Sequence, residues 1–281
     1  MKNGAPPPRI ATRRSPAHWA GGAAYLAAGL LWLASVPAAA AAPLGAFVLA
    51  CLVAPLFPQA GFFLPVIHRG GGDRRAAALT FDDGPDPRAT PRLLDLLARR
   101  AAPAMFFVVG RRVEAAPDLV REILARGHTV GNHSYRHDPF LMLRSRERLR
   151  DEIVRTQAVL SDLGVRPRVF RPPVGVTNSR LPAVLGELDL ACVTFSCRAG
   201  DFGNRRIGGL ARRILGKVRP GAIVLLHDVA PAGAGGIDAW LEEVEAILVG
   251  LEAQGYRVLP LAELIGRPVM ERRTPSRGDF S

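Results

Sequence analysis

Between His18 and His68 the chain carries no Asp, Glu, Lys or Arg, and Ala, Leu, Val, Gly and Phe dominate the run. Such a stretch cannot serve as ordinary surface loop. Crossing a bilayer takes about 20 apolar residues, so the run has room for two passes, broken near Pro37 and Pro43. The preferred reading is a transmembrane helical hairpin within residues 18–67, with spans near 19–36 and 44–63. A basic tail, residues 1–17, precedes it with Lys2, Arg9, Arg13 and Arg14. A secretory leader cut at "PAAAAAP" is the rival reading, but it leaves the second block, "LGAFVLACLVAPLF", unexplained. Arg9, Arg13 and Arg14 before the block and Arg69, Arg74 and Arg75 after it place both ends inside by the positive-inside rule. The downstream domain is therefore expected on the cytoplasmic face of a bacterial-type inner membrane.

The rest of the chain is rich enough in apolar residues for a core, the whole being 48% hydrophobic. The formal charge of +12 comes from arginines scattered through helical segments without interleaved aromatic residues, a pattern suited to anionic lipid rather than nucleic acid. Cys51, Cys192 and Cys197 imply no disulfide framework. From 76 to 265, seven short apolar runs alternate with amphipathic segments: "AAALTF", "AMFFVVG", "HTVGN", "RVF", "LACVTF", "AIVLL" and "YRVLPL". One helix opens at Pro91, and another spans about 141–163 and stops at Gly164. No glycine-rich nucleotide turn follows any run. The expected fold class is α/β, a distorted (β/α) barrel of about seven parallel strands, with residues 266–281 as a flexible tail.

In such barrels chemistry gathers where strands end. "ALTFDDGPDP" stops at Asp82 and Asp83, a pair of like charges that needs a cation, a shared proton or water. A solvated turn would also accommodate it. "HSYRH" sets His133 and His137 four residues apart, and one helical turn would bring both rings to one side. With Asp83 they make two imidazoles and a carboxylate, an open catalytic Zn²⁺-type set that leaves Asp82 free to act as a base. His227, after "AIVLL", is either a hydrogen-bonded core histidine or a proton donor facing that metal. Arg171 in "FRPPVG" could pair with Asp82, and Asp201 could orient His227 and raise its pKa.

Together, "TFDDGP", "HSYRH", "RPPVG" and "LLHD" resemble the motifs of the polysaccharide deacetylase family, the NodB-homology domain or carbohydrate esterase family 4. The resemblance covers the soluble three quarters of the chain, residues 76–265. It implies a distorted barrel that removes acyl groups from sugars with one divalent metal, Zn²⁺ first and Co²⁺, Ni²⁺ or Mn²⁺ as alternatives. Carried over, it implies Asp82 as base, Asp83, His133 and His137 as metal ligands, His227 as acid, and Arg171 and Asp201 as their positioning partners. The backbone N–H at Val174 would help hold the oxyanion. Arg198 and Phe202 stand where the family pattern has an aspartate and a tryptophan, and Val174 where it often has an aromatic ring. The implied substrate is an N-acyl amino sugar, acetyl or formyl, in a membrane-associated or lipid-linked glycan. An O-deacetylase or a non-sugar C–N hydrolase would use the same site. A non-catalytic membrane glycan-binding protein would need neither the base nor the acid.

Overall fold

The computed structural model describes residues 15–72, 75–232 and 236–272. Two helices, α1 (Pro16–Leu33) and α2 (Pro37–Val53), open the chain. A first half follows: β1 (Val66–Ile67), β2 (Ala76–Asp82), α3 (Thr90–Arg99), β3 (Ala104–Val108), α4 (Gly110–Ala115), α5 (Pro117–Ala125), β4 (Thr129–Asn132) and α6 (Arg146–Asp162). The second half comprises β5 (Val165–Pro167), β6 (Val169–Phe170), α7 (Leu181–Leu188), β7 (Ala191–Val193), β8 (Cys197–Arg198), α8 (Leu210–Leu215) and β9 (Ala222–His227). It ends with α9 (Gly236–Ala253), β10 (Arg257–Val258), α10 (Leu261–Ile265) and β11 (Met270–Arg272). All seven apolar runs of the sequence contain a strand: β2, β3, β4, β6, β7, β9 and β10.

The main sheet runs β1-β7-β6-β4-β3-β2-β9-β8, with β10 on the start of β2, and every pairing in it is parallel. Its apparent ends are joined by the chain. β7 pairs with β6, and only residues 194–196 separate β7 from β8, which pairs with β9. The run 191–198 thus changes partner midway and closes the ring, its seam carried by Ser196 N–H donating to Ile223 O at 3.1 Å. This bent segment is the distortion of the barrel.

Alternation along the strands sorts the core. Leu79 and Phe81 face outward with Phe106, Val108 and Val130 onto Leu93, Leu97, Trp240 and Val244 of the helices. Ala76, Ala78, Met105, Phe107, Val169 and Ile223 pack in the cluster on the opposite face. Each such side chain, fully buried, stabilises by roughly 1.5–3 kcal/mol. The same parity carries Asp82, His133, Arg171 and His227 to the inner face at the strands' carboxyl ends. Gly131 is required there, since a Cβ would lie 2.6 Å from Met105 Cε and 2.8 Å from the Phe107 ring.

Two expectations change. Residues 266–272 are folded: Val269 is buried, Arg168 N–H donates to its carbonyl, and Met270 pairs with Pro167 in an antiparallel two-stranded sheet. One apolar pair, Val269 and Met270, is too short to show a period in sequence. The rest of the expected tail, 273–281, lies outside the described residues, as do residues 1–14. At the other end α1 and α2 pack together, Gly21 receiving the Phe47 ring so closely that a Cβ would meet it at 2.9 Å. Among the described residues one helical stretch, Pro37–Leu56, is long and apolar enough to cross a membrane, with mean hydropathy 2.1. Glycines, two Trp, Tyr25 and His18 dilute α1, so one candidate span is supported and the two-span hairpin is not established.

Candidate active site

Asp82 ends β2 with 4% of its surface exposed, and its Oδ1 accepts a hydrogen bond from the Arg171 guanidinium at 2.6 Å. Arg171 is itself buried. It also donates to Thr80 Oγ1 at 2.8 Å and Thr194 O at 2.9 Å, and lies 3.9 Å over the Phe107 ring. Burial pushes its pKa down, and the Asp82 charge opposes that. A buried carboxylate with a fixed cationic donor stays in one rotamer, which proton transfer requires.

Asp83 turns away from the strand at φ 73°, and His133 and His137 face it. Nε2 of His137 is 3.1 Å and Nε2 of His133 3.5 Å from Asp83 Oδ1, and three ligand atoms of this trio lie within 4.8 Å of one another. The two histidines do not sit on a helical turn as expected. Ser134 (φ 63°) and His137 (φ 56°) are both left-handed, and the loop between them is irregular. Asn132 Oδ1 accepts from Ser134 N–H, Ser134 Oγ from His137 N–H, and Glu152 of α6 from the N–H groups of Tyr135 and Arg136.

The trio fits a divalent metal. His133 Nδ1 lies 2.7 Å from Arg171 O, and a carbonyl can only accept, so that nitrogen carries the proton and Nε2 points its lone pair at Asp83. Asp83 Oδ1 is buried and receives no hydrogen bond. Only a second proton on an imidazole or a cation satisfies these facing acceptors. Burial raises the Asp83 pKa, but the facing imidazoles of His133 and His137 outweigh it wherever they carry charge and hold the carboxyl well below its usual range. For His133, burial is outweighed by the Asp82 and Asp83 charges, so its pKa rises; for His137, burial and the neighbouring His133 prevail and it falls.

His227 ends β9 opposite Asp82 in register, and its Nδ1 lies 2.7 Å from Asp201 Oδ2. Burial lowers the His227 pKa; the Asp201 hydrogen bond and charge reverse this and raise it. Asn204 Nδ2 donates to the carbonyls of His227 and Val229 and ties the Asp201 loop to this strand. Val174 adopts φ 52° and Phe202 φ 53°, both at the cavity wall. Asp82, Asp83, His133, His137, Val174, Asp201 and His227 line one cavity of about 920 Å³, with Arg171 buried behind Asp82.

Sequence reasoning gave no role to two buried acids. Glu152, 1% exposed, lies within the helix that the sequence predicts over about 141–163. Asp228 accepts from Thr90 Oγ1 at 2.7 Å, its N–H donates to Asp82 O, and a Cβ at Gly84 would come within 2.2 Å of its Oδ2. It thereby clamps the loop that follows Asp83. Burial pushes its pKa up to about 7. The signal for Asp228 was present in "LLHD", a second polar residue where an apolar run ends.

The polysaccharide deacetylase family model matches residues 69–193. The peptidoglycan-N-acetylglucosamine deacetylase PgdA of Listeria monocytogenes is 36% identical over 204 residues, 72% of this chain and 41% of that one. The chain therefore spans less than half the length of that relative. A chitooligosaccharide deacetylase of Bradyrhizobium is 33% identical over 72% of this chain and 98% of its own length. The crystal structure of the Bc1960 peptidoglycan N-acetylglucosamine deacetylase matches at TM-score 0.67 and 28% identity, covering 73% of this chain and 94% of that one. With a near full-length relative above 30% identity and the motif residues assembled in one cavity, the chain belongs to the polysaccharide deacetylase family, carbohydrate esterase family 4.

Proposed function

We propose that the protein is a metal-dependent hydrolase that removes the N-acyl group, acetyl or formyl, from an amino sugar in a membrane-associated glycan. One observation carries the reading: a carboxylate fixed by a buried arginine and an imidazole held by a carboxylate flank a trio of metal-type ligands in a single cavity. The relatives named for N-acetylglucosamine deacetylation in peptidoglycan and chitooligosaccharides support the substrate class.

Asp83, His133 and His137 would hold the metal, Zn²⁺ by the two-nitrogen, one-oxygen donor set, with Co²⁺, Ni²⁺ and Mn²⁺ as alternatives. When bound it supplies Lewis-acid polarisation of the acyl carbonyl and a more acidic water. Asp82, locked by Arg171, accepts the proton of the attacking water. Val174, in a left-handed turn on the cavity wall, would offer its backbone N–H to the developing oxyanion. His227, its pKa raised by Asp201, delivers a proton to the departing amine. Phe202 and Val174 form the sugar-facing wall.

Anchoring through Pro37–Leu56 belongs to the same reading; a cytoplasmic catalytic domain goes with the two-span arrangement, since a single span sets the arginines before and after the apolar block on opposite faces. The deciding experiment combines metal analysis of the purified protein with product detection on acetylated, formylated and ester sugars, free and undecaprenyl-linked. Metal-loaded protein that releases acid from none of them rules the hydrolase out. Asp82→Ala and His227→Ala should each reduce turnover about a hundredfold or more with metal retained.

A further inference from the structure

Beyond the N-terminal helical segment, five large apolar side chains are exposed among the described residues: Phe140, Leu143, Val174, Phe202 and Val249. Four of them lie on loops at the carboxyl ends of strands, around the cavity mouth. Val174 and Phe202 line the cavity, which accounts for them. Phe140 and Leu143, 59% and 75% exposed, are not among its lining residues, so contact with a bound sugar does not. Both belong to the loop that leaves His137.

The turn Leu141–Leu143 faces two ways. Leu141 and Met142 are buried in an apolar cluster with Phe63 and Leu64, against which Cys51, Ala54 and Phe62 also pack. These are residues of the candidate span and of the chain leaving it. Gln59 further donates to Phe195 O, and the Phe195 ring is part of the cavity wall. The base of the span is therefore joined to the rim of the site, and Phe140 and Leu143 protrude at that joint. Arg180, whose guanidinium donates to Met142 O and forms no ion pair among the described residues, adds an exposed cation beside them.

We propose that Phe140 and Leu143 are a second membrane contact, inserted into the interfacial layer of the bilayer that Pro37–Leu56 crosses. The mouth of the cavity is then held at the lipid headgroups. Continuity with the span and the adjacent arginine favour a lipid surface over a protein partner. The inference rests on the membrane reading above and sharpens its substrate: an amino sugar presented at a bilayer on a lipid tether.

The test uses the full chain with Cys51→Ser, reconstituted in vesicles of phosphatidylcholine and phosphatidylglycerol. Single cysteines at Phe140, Leu143 and, as control, Val249 carry a bimane label, Cys192 and Cys197 being buried. Brominated lipids should quench labels at the first two positions several-fold more than at the third. Equal quenching, or a blue shift without quenching because a second copy covers the loop, overturns the proposal. Phe140→Ser with Leu143→Ser should raise KM for a lipid-tethered N-acetylglucosaminyl substrate about tenfold and leave soluble chitooligosaccharide turnover unchanged. An equal effect on both substrates overturns it too. Quenching needs no turnover, so an inactive protein would sink the hydrolase reading while this measurement still decides the membrane contact.

Discussion

At the scale of single residues, the proton on His227 is governed by Asp201. The imidazole's folded pKa is raised, so its stabilisation is complete below the ordinary histidine value of 6.5 and is lost as pH rises through the folded value. In the proposed reaction the same proton goes to the leaving amine, so Asp201→Asn should move the alkaline limb of the kcat/KM profile to lower pH and reduce activity there about tenfold or more. A pH–rate profile with an unmoved limb would separate the two residues functionally. Asp228 follows the same sign for a different reason, burial favouring its neutral carboxyl. Its pKa stands near 7 folded against 3.8 ordinarily, so between these values the native state keeps a proton the unfolded chain has lost. Stability present at pH 4 should therefore drain away as pH rises toward 7, and Asp228→Asn should flatten that slope in urea titrations at several pH values.

At the scale of elements, α6 acts as a splint for the metal-type loop. Ser145 caps it by accepting Arg148 N–H, and Glu152 reaches from it to the two N–H groups between His133 and His137. Glu152→Ala should weaken Zn²⁺ affinity about 10–100-fold in calorimetric titration, although Glu152 touches no ligand atom. That contribution was illegible in sequence, because a buried acid on a helix reads like any solvated one until its partner is known. What was legible were the strand ends: apolar runs stop at Asp82, at His133, at Arg171 and at His227, and strict alternation sends all four inward. Four of the strands of two or three residues, β1, β5, β8 and β11, lie outside the seven apolar runs and show no period of their own. The loop geometry was hidden as well. Six non-glycine residues with positive φ, Asp83, Ser134, His137, Val174, Phe202 and Asn204, cluster on the site's loops, a concentration of strain that no composition signals.

For the molecule as a whole, the metal-type trio joins three chain positions on two strand ends, so a cation there binds the folded state and not the unfolded one. Saturating Zn²⁺ at a hundredfold its Kd should stabilise the protein by about 2.7 kcal/mol, and Asp83→Ala should abolish most of that gain in thermal unfolding. Arg171 has a comparable reach without any ion. Its guanidinium grips Asp82, the proposed base, on one side and the carbonyl of Thr194, in the run that seals the barrel, on the other. Architecture and reactivity share that one side chain, so substitutions there cannot yield an intact but silent enzyme. A variant meant to trap substrate has to be sought at Asp82, leaving the arginine to hold the wall shut.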